Sequence, residues 1–293
     1  MKNPLISLFL WLGKKFPQPP HPFNTAKNGI MRLNYSDFEY KGAEEIWKYY
    51  KNAIDFHSLR GKTVLDLACG AGGKGVWFAE KYGAKIIGID ISPHFIEQAK
   101  TCAKEHSVEE FCDFRVGDAL DTKLDTESVD YIVLHDALEH IPNTENLFHE
   151  CHRVLKCGGL LLFNFEPYYH FFGHHIWDVI PIPWLHLITT ESFRVELYKT
   201  AVTKYPDAKD RIGFRIGKNS NGKEAFTYLN GITRRKFMNI RKKFLENDLF
   251  RVVYEEFRTL RRFPLNKLGK LPVLNELFVN TQIGVWEKMG KKD

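Results

Sequence analysis

The chain has 293 residues, 44% hydrophobic and 27% charged, with a net charge of +6. That suits one large folded, soluble domain, or one domain with a sizeable insertion. Its five cysteines are odd in number and include no CxxC pair, which argues against a disulfide framework or a zinc ribbon and for a reduced, cytoplasmic setting.

Residues 1–40 read as an N-terminal extension. The apolar run Leu5 to Leu12 is too short to span a bilayer, which takes ~20 residues, and no small-residue cleavage site follows it. Two roles remain open: a segment docked on the domain, or a shallow peripheral membrane contact with Lys14 and Lys15 at the headgroups. Phe16 to Phe23 is a Pro-rich extended connector. From Gly42 to His57 the pattern predicts a helix with Ile46, Tyr49, Tyr50, Ala53 and Ile54 on one face.

Strands and helices then alternate. Predicted strands are Thr63–Cys69, Lys85–Ile91, Phe114–Ala119, Asp130–Asp136 and Leu160–Glu166. Predicted helices lie near Val76–Tyr82, from Pro93 to about His106, and near Glu145–Leu155, the last stopped by Cys157-Gly158-Gly159. Near-continuous apolar strands separated by helices imply an α/β doubly wound parallel sheet. After Glu166 the rhythm breaks until a helix near Thr233. So long a gap predicts an inserted lid or substrate segment, 167–231, within a domain spanning 41–293. Phe250–Phe257 and Thr281–Lys288 are closing strands. Residues 231–270 hold twelve Lys/Arg against four Asp/Glu, either an anionic-partner surface or a solvated face.

The chemistry starts at "DLACGAGGKG". Gly70, Gly72 and Gly75 let backbone approach a ligand at the mouth of the first strand, and Asp90 ends the second strand where a carboxylate can accept both ribose hydroxyl protons. Taken alone this is also a dinucleotide fingerprint, hence an NAD(P)-dependent oxidoreductase as the rival reading. A purely structural glycine turn is the plain alternative. Asp66, inside the first strand, repels pyrophosphate but suits the ammonium and sulfonium of S-adenosylmethionine.

The ordered segments "VLDLACGAGG", "GIDIS", "VGDAL", "VDYIVLHDALEHI" and "ECHRVLKCGGLLLFNF" resemble class I S-adenosylmethionine-dependent methyltransferases, in particular the type 11, ubiquinone-biosynthesis-like small-molecule branch. The match covers about Thr63 to Phe165, with Ala68 where many members have glycine, a small residue from which little consequence is expected. The resemblance implies a Rossmann-like seven-stranded sheet with an antiparallel last strand. It also implies that Asp66, Gly70 and Gly72 border the methionine part of S-adenosyl-L-methionine, that Asp90 binds the ribose, and that Ile91 packs on the adenine. Asp118 would take the adenine amino group with Ala119 beside it, and His135 would line the site.

Methyl transfer needs an acceptor held in line, with a base for a hydroxyl acceptor. His135, Asp136, Glu139 and His140 follow the fourth strand, where such sheets bind ligands. Asp136 and Glu139 serve equally well as helix-start carboxylates. His135-Asp136-Ala137-Leu138 lacks the Asn/Asp-Pro-Pro-aromatic pattern of adenine-methylating enzymes, and aromatics do not interleave with the basic clusters. The expected substrate is therefore a small or lipophilic molecule and not nucleic acid. A non-catalytic cofactor-binding protein is the other alternative. "YYHFFGHHIWDVIPIPWLH" (Tyr168–His186) would leave the sheet on the ligand side. Its rings Tyr168, Tyr169, Phe171, Phe172, Trp177 and Trp184 suit a pocket wall. The pairs His170/His174 and His174/Asp178 have metal-ligand spacing on a helix, but Gly173, Pro181 and Pro183 break the segment. Pocket lining with His174 as a base is the expected role, with plain packing as the alternative; no metal is assigned, and whether the run binds one stays open.

Overall fold

A computed structural model describes residues 3–17, 35–260, 265–272 and 274–290. Most of the Pro-rich connector Phe16–Phe23 lies outside them, as do the side chain of Ile46 and the pair Arg261, Arg262. The strands are β1 (Thr63–Leu67), β2 (Lys85–Asp90), β3 (Cys112–Val116), β4 (Val129–His135), β5 (Leu155–Phe165), β6 (Ile216–Lys218), β7 (Glu224–Phe226), β8 (Phe250–Thr259) and β9 (Val279–Lys288). One seven-stranded sheet has the order β3-β2-β1-β4-β5-β9-β8. β1 to β5 pair in parallel, and β9 runs antiparallel to β5. The fold is therefore the expected α/β Rossmann-like sheet with its antiparallel last strand.

The chain divides into two compact units. The first comprises Asn34–Phe165, Arg235–Arg258 and Thr281–Asp293 and contains most of the sheet. β1 is buried along nearly its whole length, as a strand covered on both faces must be. Val64, Val133 and Ile283 from three strands share one core with Trp47, Val76, Phe78, Ile96 and Ala99 from the covering helices. The helix Pro93–Glu105 starts where Ser92 caps the Phe95 N–H and Pro93 takes the first turn.

Three boundaries differ from the sequence reading. The helix placed at Gly42–His57 runs instead over Tyr35–Trp47, followed by single turns and a 3₁₀ segment, Phe56–Leu59. The turns close with Tyr50 N–H on Trp47 and Ala53 N–H on Tyr50. Their three-residue spacing keeps Trp47 and Tyr50 buried, so the apolar periodicity survived without a helix. β5 starts at Leu155, and Cys157-Gly158-Gly159 lies within it instead of stopping a helix. The register of β5 on β4 shifts there, which absorbs the glycines as an irregularity. β3 begins at Cys112 and ends at Val116, before Asp118 and Ala119.

The second unit comprises Met1–Leu33, Glu166–Arg234 and Thr259–Asn280. It contains the helices Glu191–Val202 and Ala208–Arg215 and the β6–β7 hairpin. Its core joins Ile6 of the helix Pro4–Gly13 to Ile176, Ile180, Leu185, Leu197 and Tyr198. That helix is docked by one face, while Leu5, Leu8 and Trp11 remain exposed on the other. Among the described residues no helix is long and apolar enough to cross a membrane. The basic stretch is extensively paired: Arg241 with Glu255, Lys242 with Glu246, Lys243 with Glu145, Arg251 with Glu287 and Arg258 with Glu256.

Ala68 has φ +55°, a left-handed conformation. The side chain is small, as the sequence suggested, but backbone angle rather than size makes the position costly, by about 1–2 kcal/mol relative to glycine. Part of that would be returned as extra unfolded-state entropy. Ala68→Gly is expected to stabilise the protein by about 0.5–1 kcal/mol, raising Tm by roughly 1–3 °C. A lowered Tm in a thermal melt would refute this.

Candidate functional site

The parallel strands deliver the predicted residues to one rim. Gly70 follows β1, Asp90 ends β2, Asp118 lies two residues past β3 and His135 ends β4. Asp90 pairs in register with Val116, and His135 with Asn164. The Asp90 carboxylate is fixed by backbone donors, Gly70 N–H at 3.0 Å on Oδ2 and Ser92 N–H at 2.8 Å on Oδ1. Each oxygen keeps a lone pair for a further donor. Burial raises the Asp90 pKa against those hydrogen bonds. Ile91, next along, is 79% exposed, an apolar side chain standing open at the rim. Asp118 is exposed and accepts the Leu120 N–H at 2.9 Å, with Ala119 buried beside it.

Under the glycine turn lies a buried polar cluster. Asp66, Lys74 and Glu39 are all buried. Lys74 Nζ is 3.4 Å from Glu39 Oε1, and the Gly73 N–H donates to Glu39 Oε2 at 3.2 Å. Burial pushes Glu39 up to about 7 and Asp66 up to about 6, with Lys74 acting against both shifts. Burial disfavours the Lys74 ammonium, but Glu39 and Asp66 outweigh it and hold the lysine protonated. A Cβ on Gly70 would lie 2.8 Å from Glu39 Oε1, and one on Gly72 2.5 Å from the Ala99 methyl. Both glycines also have positive φ, +57° and +76°, so they are required by angle and by space.

Glu39 therefore occupies the amino end of the helix Gly73–Tyr82. A Cβ on Gly73 would sit 2.0 Å from the Ser36 carbonyl oxygen, so the helix Tyr35–Trp47 closes over that end. A dinucleotide pyrophosphate needs those first-turn N–H groups free. Glu39 already takes the Gly73 N–H among them, an arrangement that lends the NAD(P) reading no support.

At the fourth strand, His135 is buried against Tyr49 and Trp47, with ring centroids at 6.0 and 6.1 Å. Its Nε2 lies 3.1 Å from Asp136 Oδ2, and its Nδ1 has no hydrogen-bond partner among the described residues. The Asp136 side chain is 58% exposed, and against the desolvation its surroundings still impose, His135, Lys74 and the Asn164 amide hold its carboxyl below the usual carboxylate range. Asn164 Oδ1 accepts the Asp136 N–H at 3.3 Å and the Tyr50 hydroxyl at 3.2 Å. Glu139 is buried and His140 exposed.

In the second unit, His174 is spent on backbone: its Nε2 is 3.0 Å from the Ile182 carbonyl and its Nδ1 accepts the Ile176 N–H at 3.2 Å. Burial holds it well below the ordinary histidine range, so it is a neutral ring. Asp178 binds Arg215 and Arg211 at 3.1 and 3.5 Å. The spacings His170/His174 and His174/Asp178 thus do not become ligand pairs, because residues 168–174 form turns and not a helix. The rings pack largely on one another: Phe171 on Phe172 and Trp184, and Phe172 on Trp177.

Glu39, Lys74, Tyr50 and Asn164 were not picked out from sequence as site residues. Lys74 had a readable signal, a cation inside a glycine turn already flanked by Asp66. Glu39 had none, being 34 residues away in chain.

Residues 65–163 match the family model of a methyltransferase domain. Over 110 residues the chain is 34% identical to norajmaline N-methyltransferase of Rauvolfia serpentina, covering 38% of each chain. It is 30% identical over 141 residues to the ubiquinone biosynthesis O-methyltransferase of Coxiella burnetii, covering 46% of this chain and 58% of that one. The alignments thus span less than two thirds of either relative's length. Among solved structures, the PH0226 protein of Pyrococcus horikoshii OT3 superposes with a TM-score of 0.52 at 21% identity, over 92% of this chain and 96% of that one. That likeness extends the shared fold beyond the matched domain.

Glu39→Ala would remove the ion-pair partner of the buried Lys74 and leave the Gly73 N–H without its acceptor. The expected loss in urea unfolding is about 3 kcal/mol. In the ligand-free protein, Glu39 binds its proton more tightly folded than unfolded. Stability should therefore fall as pH rises from about 4.5 to 7. Glu39→Gln should flatten that slope, and an unchanged slope would show that Glu39 does not titrate there.

Proposed function

We propose that this chain, whose residues 65–163 are a class I S-adenosylmethionine-dependent methyltransferase domain, transfers a methyl group to a small or lipophilic molecule. The observation that carries the reading is Glu39 on the amino end of the helix Gly73–Tyr82, with Asp66 buried beneath the turn. That arrangement turns away a phosphate and leaves a carboxylate for a cationic ligand. Bound S-adenosyl-L-methionine would supply an activated methyl group on a sulfonium.

The chain's own residues would do the rest. Asp66, Gly70 and Gly72 would hold the ammonium end of the cofactor. Asp90, pre-oriented by Gly70 and Ser92, would accept the ribose hydroxyls. Ile91, Asp118 and Ala119 would take the adenine, which accounts for the exposed Ile91 side chain. His135 would hold or accept a proton at Nδ1, its Nε2 being oriented by Asp136. Asp136 is the better positioning residue than base, because its carboxyl is held at low pKa. His140, exposed, is the second base candidate. His174 drops out, since both its ring nitrogens are engaged. Residues 167–231 would form the substrate segment. The relatives named for norajmaline and for ubiquinone biosynthesis support a small organic acceptor. A cytoplasmic location fits five cysteines that are all free thiols. The exposed face Leu5, Leu8 and Trp11, with Lys15 Nζ 4.9 Å over the Trp11 ring, supports a peripheral membrane contact.

Titration calorimetry with S-adenosylmethionine or its demethylated product should give saturable binding, and NAD(H) none. Because Asp66 titrates near 6, it must lose its proton to pair with a cation. Affinity should therefore rise from pH 5 to 7 in the wild type and not in Asp66→Asn. Asp90→Ala should weaken binding by about 1.5–3 kcal/mol. Tight NAD(H) binding without S-adenosylmethionine binding would overturn the proposal.

For the membrane contact, flotation with anionic vesicles should recover the wild type and lose Leu8→Asp/Trp11→Glu. Equal recovery of both on neutral and anionic vesicles counts against it.

A further inference from the structure

The histidine-rich run contains a cluster that the methyl-transfer site does not use. Glu166, His170 and His175 each turn one ligand atom toward the others, all within 4.8 Å. His170 Nε2 lies 3.1 Å from Glu166 Oε2, and His175 Nε2 lies 3.6 Å from the same oxygen. The backbone builds this in successive turns: His170 N–H on Pro167, Gly173 N–H on His170, and His175 N–H on Phe172. Gly173 is needed for it, since a Cβ there would lie 1.8 Å from the Tyr168 carbonyl oxygen. His175 adopts φ +49°, a left-handed conformation that a histidine holds only at a cost.

His170 carries the argument. It is 1% exposed, yet neither ring nitrogen has a hydrogen-bond partner among the described residues. Its Nε2 is near the Glu166 oxygen but misaligned for a hydrogen bond to it. A buried imidazole in that condition has given up its water without replacing those hydrogen bonds. Close approach of two imidazoles to one carboxylate oxygen, with His170 making no hydrogen bond to it, is what three ligands directed at a common centre would show. Ligand atoms about 2.0–2.2 Å from one ion sit roughly 3–3.6 Å apart, and both measured contacts fall in that range.

We propose that Glu166, His170 and His175 bind one divalent first-row transition ion, with zinc(II) or iron(II) the candidates. Two imidazoles and one carboxylate form a borderline donor set that favours these over magnesium or calcium, which take oxygen ligands. Three protein ligands leave at least one coordination position for water or an oxygen donor. The site lies within one compact unit and does not depend on the cofactor reading.

The test uses the full chain, stripped with a chelator and titrated at pH 7.5 with zinc(II), with iron(II) under anaerobic conditions, and with magnesium. Wild type should bind one equivalent of zinc or iron saturably, with a rise in Tm that chelator reverses. Glu166→Gln and His175→Ala should each weaken binding at least tenfold. His170→Ala should do the same if it folds; if it does not, the other two variants decide. An exposed control, His94→Ala, should bind as wild type does. No saturable binding overturns the proposal, as does binding unchanged in Glu166→Gln and His175→Ala, or a preference for magnesium.

Discussion

The buried pair of Glu39 and Lys74 is the constraint on which the rest of the sheet-bearing unit depends. One carboxylate caps the helix Gly73–Tyr82 at Gly73, neutralises Lys74 and anchors the helix Tyr35–Trp47. Desolvating these charges is expensive, and each partner would be intolerable without the other. The glycines follow from the pair. Gly70 leaves room for the Glu39 oxygen, and Gly73 lets the two helices meet backbone to backbone. The same carboxylate takes the Gly73 N–H at the helix end, and Asp66 lies buried with it under the turn.

What could be read from sequence was whatever local periodicity encodes. The order β1 to β5 was legible because fully covered parallel strands are short apolar runs bounded by turn residues. Asp90 was legible because its distance from Gly70 is set by one helix and one strand. Glu39 was not, because nothing local to "SDFEY" tells a solvated helix carboxylate from a buried one. The helix Tyr35–Trp47 was shifted for a related reason. Trp47 and Tyr50 sit three apart on the core side, a spacing that helix and 3₁₀-type turns share. Gly158-Gly159 misled because glycine pairs stop helices and also relax strand registers.

The histidine run shows the same limit. Helical spacing pointed to His170/His174 and His174/Asp178. Turn geometry instead sent His174 to the backbone and Asp178 to two arginines, and drew His170 and His175 onto Glu166. The true neighbour of His170, Glu166, was placed at the end of a strand, where its side chain had no assigned task.

Backbone strain marks where alternation has to be broken. Successive residues of a strand point to opposite faces, so His135 and Asp136 in continued β conformation could not touch side chain to side chain. Asp136 instead has φ +49°, and its carboxylate turns back onto the His135 ring and the Asn164 amide. Ala68, just past β1, is left-handed as well, and β1 is the parallel neighbour of β4. Two non-glycine residues in that conformation at the ends of adjacent strands cost about 1–2 kcal/mol each. Both persist because Asn164, Tyr50 and Asp90 fix the polar groups around them. The rim is therefore held in its bent form by side-chain hydrogen bonds rather than by local preference, and that is what keeps Asp90 and the His135–Asp136 pair oriented on one edge of the sheet.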